Sequence, residues 1–284
     1  MASAERIEEL QDIAKQVRRD IVRMVYEIQS GHMGGSLGCA DFMTALFFEV
    51  MNCQPSAFSQ DGKNEDMFFL SNGHITPVYY SVMAHRGYFP VAELATFRKL
   101  HTRLQGHPST AHGLPGMRIA SGSLGQGISI AIGAAQAKKM NNDSNLIYVL
   151  TGDGELEEGQ MWEGIMYAGA KKVDNLIVIV DYNHKQIDGT VEQVMDLMDL
   201  KAKFESFGFF VIEGEGNDMK LLLESLQEAK NQTKKGKPVA FLMHTEMGCG
   251  VDFMMGTHKW HGTPPNKEQF EKAIAQLPQT LGDY

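Results

Sequence analysis

A doubly wound α/β fold, with a mostly parallel sheet flanked by helices, is predicted from three features of the chain. Two runs, Leu146-Ile147-Tyr148-Val149-Leu150 and Leu176-Ile177-Val178-Ile179-Val180, are apolar at every position, the pattern of strands buried on both faces. They lead into polar turns, Gly152-Asp153-Gly154 and Asp181-Tyr182-Asn183, whose Asp153 and Asn183 stand roughly thirty residues apart, the span of one strand–helix–strand unit. Elsewhere apolar residues recur at three- and four-residue intervals, the period of helices that cover a sheet. With no repeat, low-complexity tract or linker, residues 1–284 read as one domain.

The chain opens on Ile7, Leu10, Ala14, Val17, Ile21, Met24 and Ile28, one face of a long amphipathic helix stopped by Gly31. A glycine-dense stretch, Gly31-His32-Met33-Gly34-Gly35, follows. Asp41 is placed to cap a second helix whose apolar face uses Ala45, Leu46, Phe48 and Met51. Met67-Phe68-Phe69-Leu70 predicts a short strand running into Ser71-Asn72-Gly73-His74. Residues 77–100 predict helix in two pieces, broken near Gly87 and Pro90. Residues 101–127 lack periodicity and are rich in Gly, Ser and His, as a loop over a site is. Small residues predict a helix over 128–140. Beyond Gly189 the pattern predicts a helix over 191–207, a strand over Phe209–Ile212, an amphipathic helix from Met219 to Lys230, and a last strand over Pro238–Met243 ending in His244-Thr245-Glu246.

A hydrophobic content of 43% and a charged content of 21% describe an ordinary globular chain. The net charge of −9, with no basic cluster to offset it, argues against a nucleic-acid surface. Cys39, Cys53 and Cys249 form no close pair and no zinc spacing, and are expected to be reduced, buried hydrophobes. The first residues carry no apolar signal core and no run approaches membrane-spanning length, so no membrane association and a cytoplasmic location are expected.

Open parallel sheets bind ligands beyond the carboxyl ends of their strands. There Asp153 and Asn183 offer a carboxylate and an amide oxygen, which with a nearby carbonyl make a hard-oxygen set for Mg²⁺ or Ca²⁺, leaving positions for a diphosphate. Glu155, Glu157 and Glu158 would repel a bare phosphate, and a divalent cation removes that repulsion. A dinucleotide fingerprint fails because Glu157 stands at the place of its third glycine, and no Gly-Lys-Ser or Gly-Lys-Thr P-loop occurs. On the residues alone, a tight turn with solvated acids at a helix start stays open as the alternative. His32, His74, His107 and His261 stand beside glycine or at strand ends on four loops. They could converge for acid–base and oxyanion work on a sugar, or be solvated singly. No pair has the helical His-x-x-x-His spacing of a zinc site.

Gly152-Asp153-Gly154 closed by Asn183 resembles the thiamine-diphosphate motif, and the histidine segments narrow the resemblance to transketolases. Ser30-Gly31-His32 is similar to their SGH segment, whose histidine contacts substrate, and Ser71-Asn72-Gly73-His74, followed by Tyr79 or Tyr80, to the segment whose histidine holds the diphosphate. Gln105-Gly106-His107-Pro108 resembles the GHP loop beside the thiazolium ring, and Trp260-His261-Gly262 the WHG segment between cofactor and substrate. Ser121-Gly122-Ser123-Leu124-Gly125-Gln126-Gly127 looks like the turn that cradles the aminopyrimidine. The resemblance covers roughly residues 30–265 and implies metal ligation by Asp153, Asn183 and the Lys185 carbonyl. It implies cofactor contacts from His74, Gly122, Ser123, Leu124, Gly154, Asn183, Ile187 and His261, and a catalytic set of His32, His107, His261 and Glu158. His32 and His261 would bind substrate oxygens, and Ile187 would help hold the cofactor bent. Glu158 and Glu163 match acids at the family's subunit interface. Met33, Thr76, Ser123 and Tyr182 depart from the family pattern, which bears on sugar preference.

Complete transketolases add a pyrimidine-binding domain, whose glutamate activates the cofactor, and a C-terminal domain. Neither is expected in this chain, so the resemblance implies the N-terminal subunit of a split transketolase. Together with a complementary C-terminal subunit, in an α₂β₂ assembly, it would move a two-carbon ketol unit between sugar phosphates. The alternatives are a subunit of a synthase or oxo-acid dehydrogenase on the same cofactor, or a silent cofactor-binding copy.

Overall fold

The computed structural model describes residues 2–284. Five parallel strands form the central sheet: β1 (Met67–Leu70), β2 (Ile147–Gly152), β3 (Leu176–Tyr182), β6 (Phe210–Glu215) and β7 (Val239–His244), in the spatial order β1-β2-β3-β7-β6. A short antiparallel hairpin, β4 (Lys185–Gln186) with β5 (Gly189–Thr190), follows β3 outside this sheet.

The uniform apolar runs are explained by how successive side chains divide. Tyr148, Leu150, Ile177, Ile179, Phe241 and Met243 enter one core, while Ile147, Val149, Val178, Val180, Ala240 and Leu242 enter the other. Helices α1 (Ala4–Ile28), α3 (Ala40–Ala45), α4 (Thr76–Arg86) and α9 (Met219–Gln232) cover the first face; α5 (Gly127–Met140), α6 (Gly159–Ala170) and α8 (Leu200–Ser206) cover the second. Each fully buried Val, Ile or Leu contributes about 1.5–3 kcal/mol, so a polar substitution at Val178 or Ile179 would break the sheet's attachment to one layer.

Helix α1 begins where the Ser3 hydroxyl accepts from the Arg6 N–H at 3.2 Å, and ends at Gln29 in the left-handed region. Its predicted stripe is the buried one, with Leu10, Ala14, Val17, Ile21 and Met24 inside. After it come α2 (Gly34–Gly38), α3 and a π-type turn, Leu46–Val50. Asp41 is not a cap: it lies within α3, buried, and pairs with the buried Arg18 guanidinium. Nor is Phe48 core, since the π-type turn rotates it to a half-buried position.

The helix expected over 191–207 is two helices, α7 (Val191–Met195) and α8, because Thr190 and Asp199 each cap a new start. The segment after Pro90 forms a 3₁₀ turn, Val91–Thr96, rather than α-helix. Two elements lie outside the sequence prediction: the β4–β5 hairpin and α10 (Lys267–Gln276), whose start is a capping box between Asn266 and Gln269. Cys39 is buried, Cys53 and Cys249 are partly buried, and all three are free thiols. Among the described residues no helix is long and apolar enough to cross a membrane.

Candidate cofactor and active site

The carboxyl ends of β1, β2, β3 and β7 open onto one cavity of about 620 Å³. Strand register builds its floor. Gly152 pairs with Asp181, and the Asp153 N–H continues the ladder to the Asp181 carbonyl at 3.2 Å, so Asp153 and Asn183 come to the same turn. One Asp153 carboxylate oxygen accepts from the Gly154 N–H at 2.8 Å and the other from the His184 N–H at 2.5 Å. The Asn183 amide oxygen accepts from the Lys185 N–H at 2.9 Å, and its amide nitrogen donates to Asp181 at 3.0 Å. Asp181 also accepts from the Thr245 hydroxyl.

This floor has the electrostatics of a cation site. Burial, then the neighbouring Asp181, push the Asp153 carboxyl well above the usual carboxylate range. Among the described residues no three His, Cys, Asp or Glu side chains converge as a metal cluster. A metal here would therefore rest on Asp153 with amide and carbonyl oxygens, the hard donors that Mg²⁺ and Ca²⁺ take.

Above the floor, His32, His74 and His261 converge, with ring centroids 4.9, 5.5 and 5.0 Å apart for the pairs His32–His74, His32–His261 and His74–His261. They arrive from the loop after α1, the turn after β1 and the turn after Trp260. His107 lines the same cavity from a more exposed position. Gly122 allows its approach: at φ +144° it has no Cβ, and one there would meet the His107 ring at 3.0 Å. Burial, followed by the charges of His261, Arg98 and His107, lowers His32 to about 4. His74 is held well below its ordinary value by burial and then by His261, and burial lowers His261. All three are neutral rings at pH 7. The Nδ1 atoms of His32 and His261 and the Oδ1 of Asn72 are buried without a partner, polar groups that a bound polar ligand would satisfy.

A pH effect follows. Because His32 titrates lower in the folded chain than in the unfolded one, its contribution is complete above about pH 6.5 and is lost as pH falls toward its folded value. Denaturant unfolding of the cofactor-free chain at pH 7 and pH 5 should show His32→Gln losing about 1 kcal/mol less than wild type on acidification, after discounting for partial exposure. Equal losses would refute the assignment.

Gly154, Glu158, Leu124, Lys185 and Ile187 also line the cavity, Ile187 at 58% exposure. Ser123 is exposed and lies off its wall, as does Glu163, which sits on the outer side of α6. Glu155 is not a solvated acid. It is buried, accepting from the Ser71 hydroxyl at 2.5 Å, the Gly125 N–H at 2.8 Å and the Gly152 N–H at 3.2 Å, and so clasps three site loops together. Asn72 and Asp181 line the cavity and are not among the predicted site residues. Their only sequence signal is position, inside Ser71-Asn72-Gly73-His74 and directly after the second apolar run.

The family described as transketolase, thiamine diphosphate binding domain, matches residues 10–282. The chain is 34% identical to an apulose-4-phosphate transketolase subunit of Phocaeicola vulgatus, across 97% of this chain and 96% of that one. It is 35% identical to the 6-deoxy-6-sulfo-D-fructose transketolase subunit SqwG of a Clostridium species, across 95% and 96%. Human transketolase is 33% identical over 96% of this chain, which spans 42% of that protein. Among solved structures, transketolase from Leishmania mexicana superposes with a TM-score of 0.85 at 31% identity, over 100% of this chain and 43% of that one. Transketolase from Campylobacter jejuni gives 0.85 at 34%, over 98% and 43%.

Proposed function

The chain belongs to the transketolase thiamine-diphosphate-binding family, and from that membership we propose that it is the N-terminal subunit of a two-subunit transketolase, transferring a two-carbon ketol unit from a ketose phosphate to an aldose. The observation that carries the proposal is the convergence of His32, His74 and His261 over the Asp153–Asn183 floor. A buried carboxylate without a cation and unpartnered imidazole nitrogens fit a metal–diphosphate below and a hydroxyl-rich substrate above.

In this proposal Asp153, Asn183 and the Lys185 carbonyl hold Mg²⁺ or Ca²⁺, and His74 and Gly154 meet the diphosphate. Gly122 and Leu124, with Ser123 in the same turn, lie along the aminopyrimidine, and Ile187 supports the bend. Thiamine diphosphate, when bound, supplies the nucleophilic carbon and the electron sink for carbon–carbon cleavage. His32 and His261, neutral and half-buried, donate to or accept from sugar hydroxyls and carbonyl, moving protons as the bond breaks. His107 does the same from the rim. Glu158 faces the cavity from the turn where the partner would join. The partner is a complementary C-terminal subunit in an α₂β₂ assembly, a proposal supported by full-length relatives that are named as transketolase subunits. A cytoplasmic location belongs to the same proposal.

The test supplies the assembled subunits with ketose phosphates, a sulfonated ketose and pyruvate as rival donors, with aldose acceptors. The named relatives act on a sugar phosphate and a sulfo-sugar, so an anionic ketose is the expected donor. Preference for pyruvate would replace the proposal with the oxo-acid reading. A pair of substitutions separates roles: His74→Ala should weaken cofactor affinity about 10-fold or more, whereas His32→Ala should spare it and lower ketose turnover by about 10²-fold. Loss of folding stability alone in both would argue against these roles.

A further inference from the structure

Arg98 has no carboxylate within ion-pairing distance among the described residues, although burial lowers its pKa and its Nε is buried without a partner. Its backbone is left-handed, at φ +55°, held by its N–H on the Leu104 carbonyl at 2.9 Å. The guanidinium lies over the Phe97 ring and spends its donors on two loops. Nη1 donates to the Ser30 hydroxyl at 2.6 Å and Nη2 to the Gly106 carbonyl at 3.3 Å. That same carbonyl accepts from the Thr76 hydroxyl at 2.9 Å. Ser30 lies two residues before His32, Thr76 two after His74, and Gly106 directly before His107. Gly106 is required for the contact, since a Cβ there would lie 2.6 Å from the Arg98 guanidinium.

We propose that Arg98 is a positioning residue: through Ser30 and the Gly106 carbonyl shared with Thr76, it sets the loops of His32, His74 and His107 against one another. Arg98 is not among the residues lining the cavity, so it acts through the histidines. An uncompensated, partly desolvated cation is unfavourable unless its hydrogen bonds are used, and here they bridge segments distant in sequence. For its catalytic consequence the proposal rests on the ketol-transfer function.

The test uses the full chain loaded with thiamine diphosphate and Mg²⁺ and labelled at histidine Cε1, both by itself and assembled with its complementary partner. Arg98→Met is expected to shift the His32 and His107 ring resonances and lower kcat by about 10²-fold, the scale for a misplacement of about 1 Å. Cofactor Kd should stay within about 3-fold. Arg98→Lys should not rescue, since one ammonium cannot span both acceptors. Thr76→Val leaves Arg98 in place and should shift His107, which keeps the test decisive if Arg98→Met does not fold. Lys99→Met, on the exposed neighbour, should shift none of these rings. Unchanged imidazole resonances in Arg98→Met, or in Thr76→Val if Arg98→Met does not fold, would overturn the proposal. If the wild-type assembly transfers no ketol unit from any donor, the functional assignment fails, and the resonances alone decide Arg98.

Discussion

Replacing Asp153 with alanine is expected to abolish retention of thiamine diphosphate, with calorimetric affinity in Mg²⁺ falling by more than about 10²-fold. Substitution of groups that merely orient metal ligands already costs about 10- to 100-fold. Both Asp153 oxygens are buried and accept only from backbone N–H groups, with Asp181 adjacent. The two acids and the glutamates beyond them exclude a bare diphosphate, whereas a divalent cation on Asp153 reverses the local charge. Removing metal with a chelator should bring wild type down to the variant's affinity, and returning Mg²⁺ should restore wild type only. The cofactor-free variant should unfold no earlier than wild type, because a destabilised buried carboxylate has gone. Unchanged affinity in Asp153→Ala would refute the metal bridge. Equal loss of fold and affinity would make Asp153 structural.

The chain alone is expected to be catalytically silent and to gain ketol transfer on mixing with its complementary partner, by about 10²–10⁴-fold, the contribution of a placed acid–base group. In the proposed assembly the carboxylate that activates the aminopyrimidine comes from the partner. The cavity mouth has the character of a surface awaiting cover: Ile187 and Met195 line it at 58% and 53% exposure, and Val194 at 46%. Turnover of a ketose phosphate by the purified chain with cofactor and Mg²⁺, before and after adding partner, measures the effect. Full activity without partner would overturn the two-subunit proposal.

The fold is legible where local pattern and burial coincide. The runs at 146–150 and 176–180 are apolar throughout because both sheet faces are covered, and each is a strand. Their ends read short because Thr151, Gly152, Asp181 and Tyr182 continue the ladder while being chosen for the site. The break between α7 and α8 is hidden because apolar spacing carries across it, although Asp199 is a capping signal in view. Glu155 reads as a repelling acid because charge, met in a sequence, implies solvent. Its burial depends on Ser71 and Gly125, which are distant in the chain.

By itself the sequence determined which groups this protein brings to its chemistry: Asp153 and Asn183 at the ends of two apolar runs, and histidines beside glycine on four loops. These are local properties, set by side-chain type, backbone freedom and spacing along one strand or turn. Only the tertiary structure decided that His32, His74 and His261 meet within 5.5 Å while His107 stays nearer solvent, that Ser123 lies off the cavity wall, and that Arg98 ties three of the loops together. The physical reason is register. Pairing Gly152 with Asp181 and Leu70 with Leu150 sets how far each loop projects beyond the sheet, and that pairing depends on the packing of both faces at once.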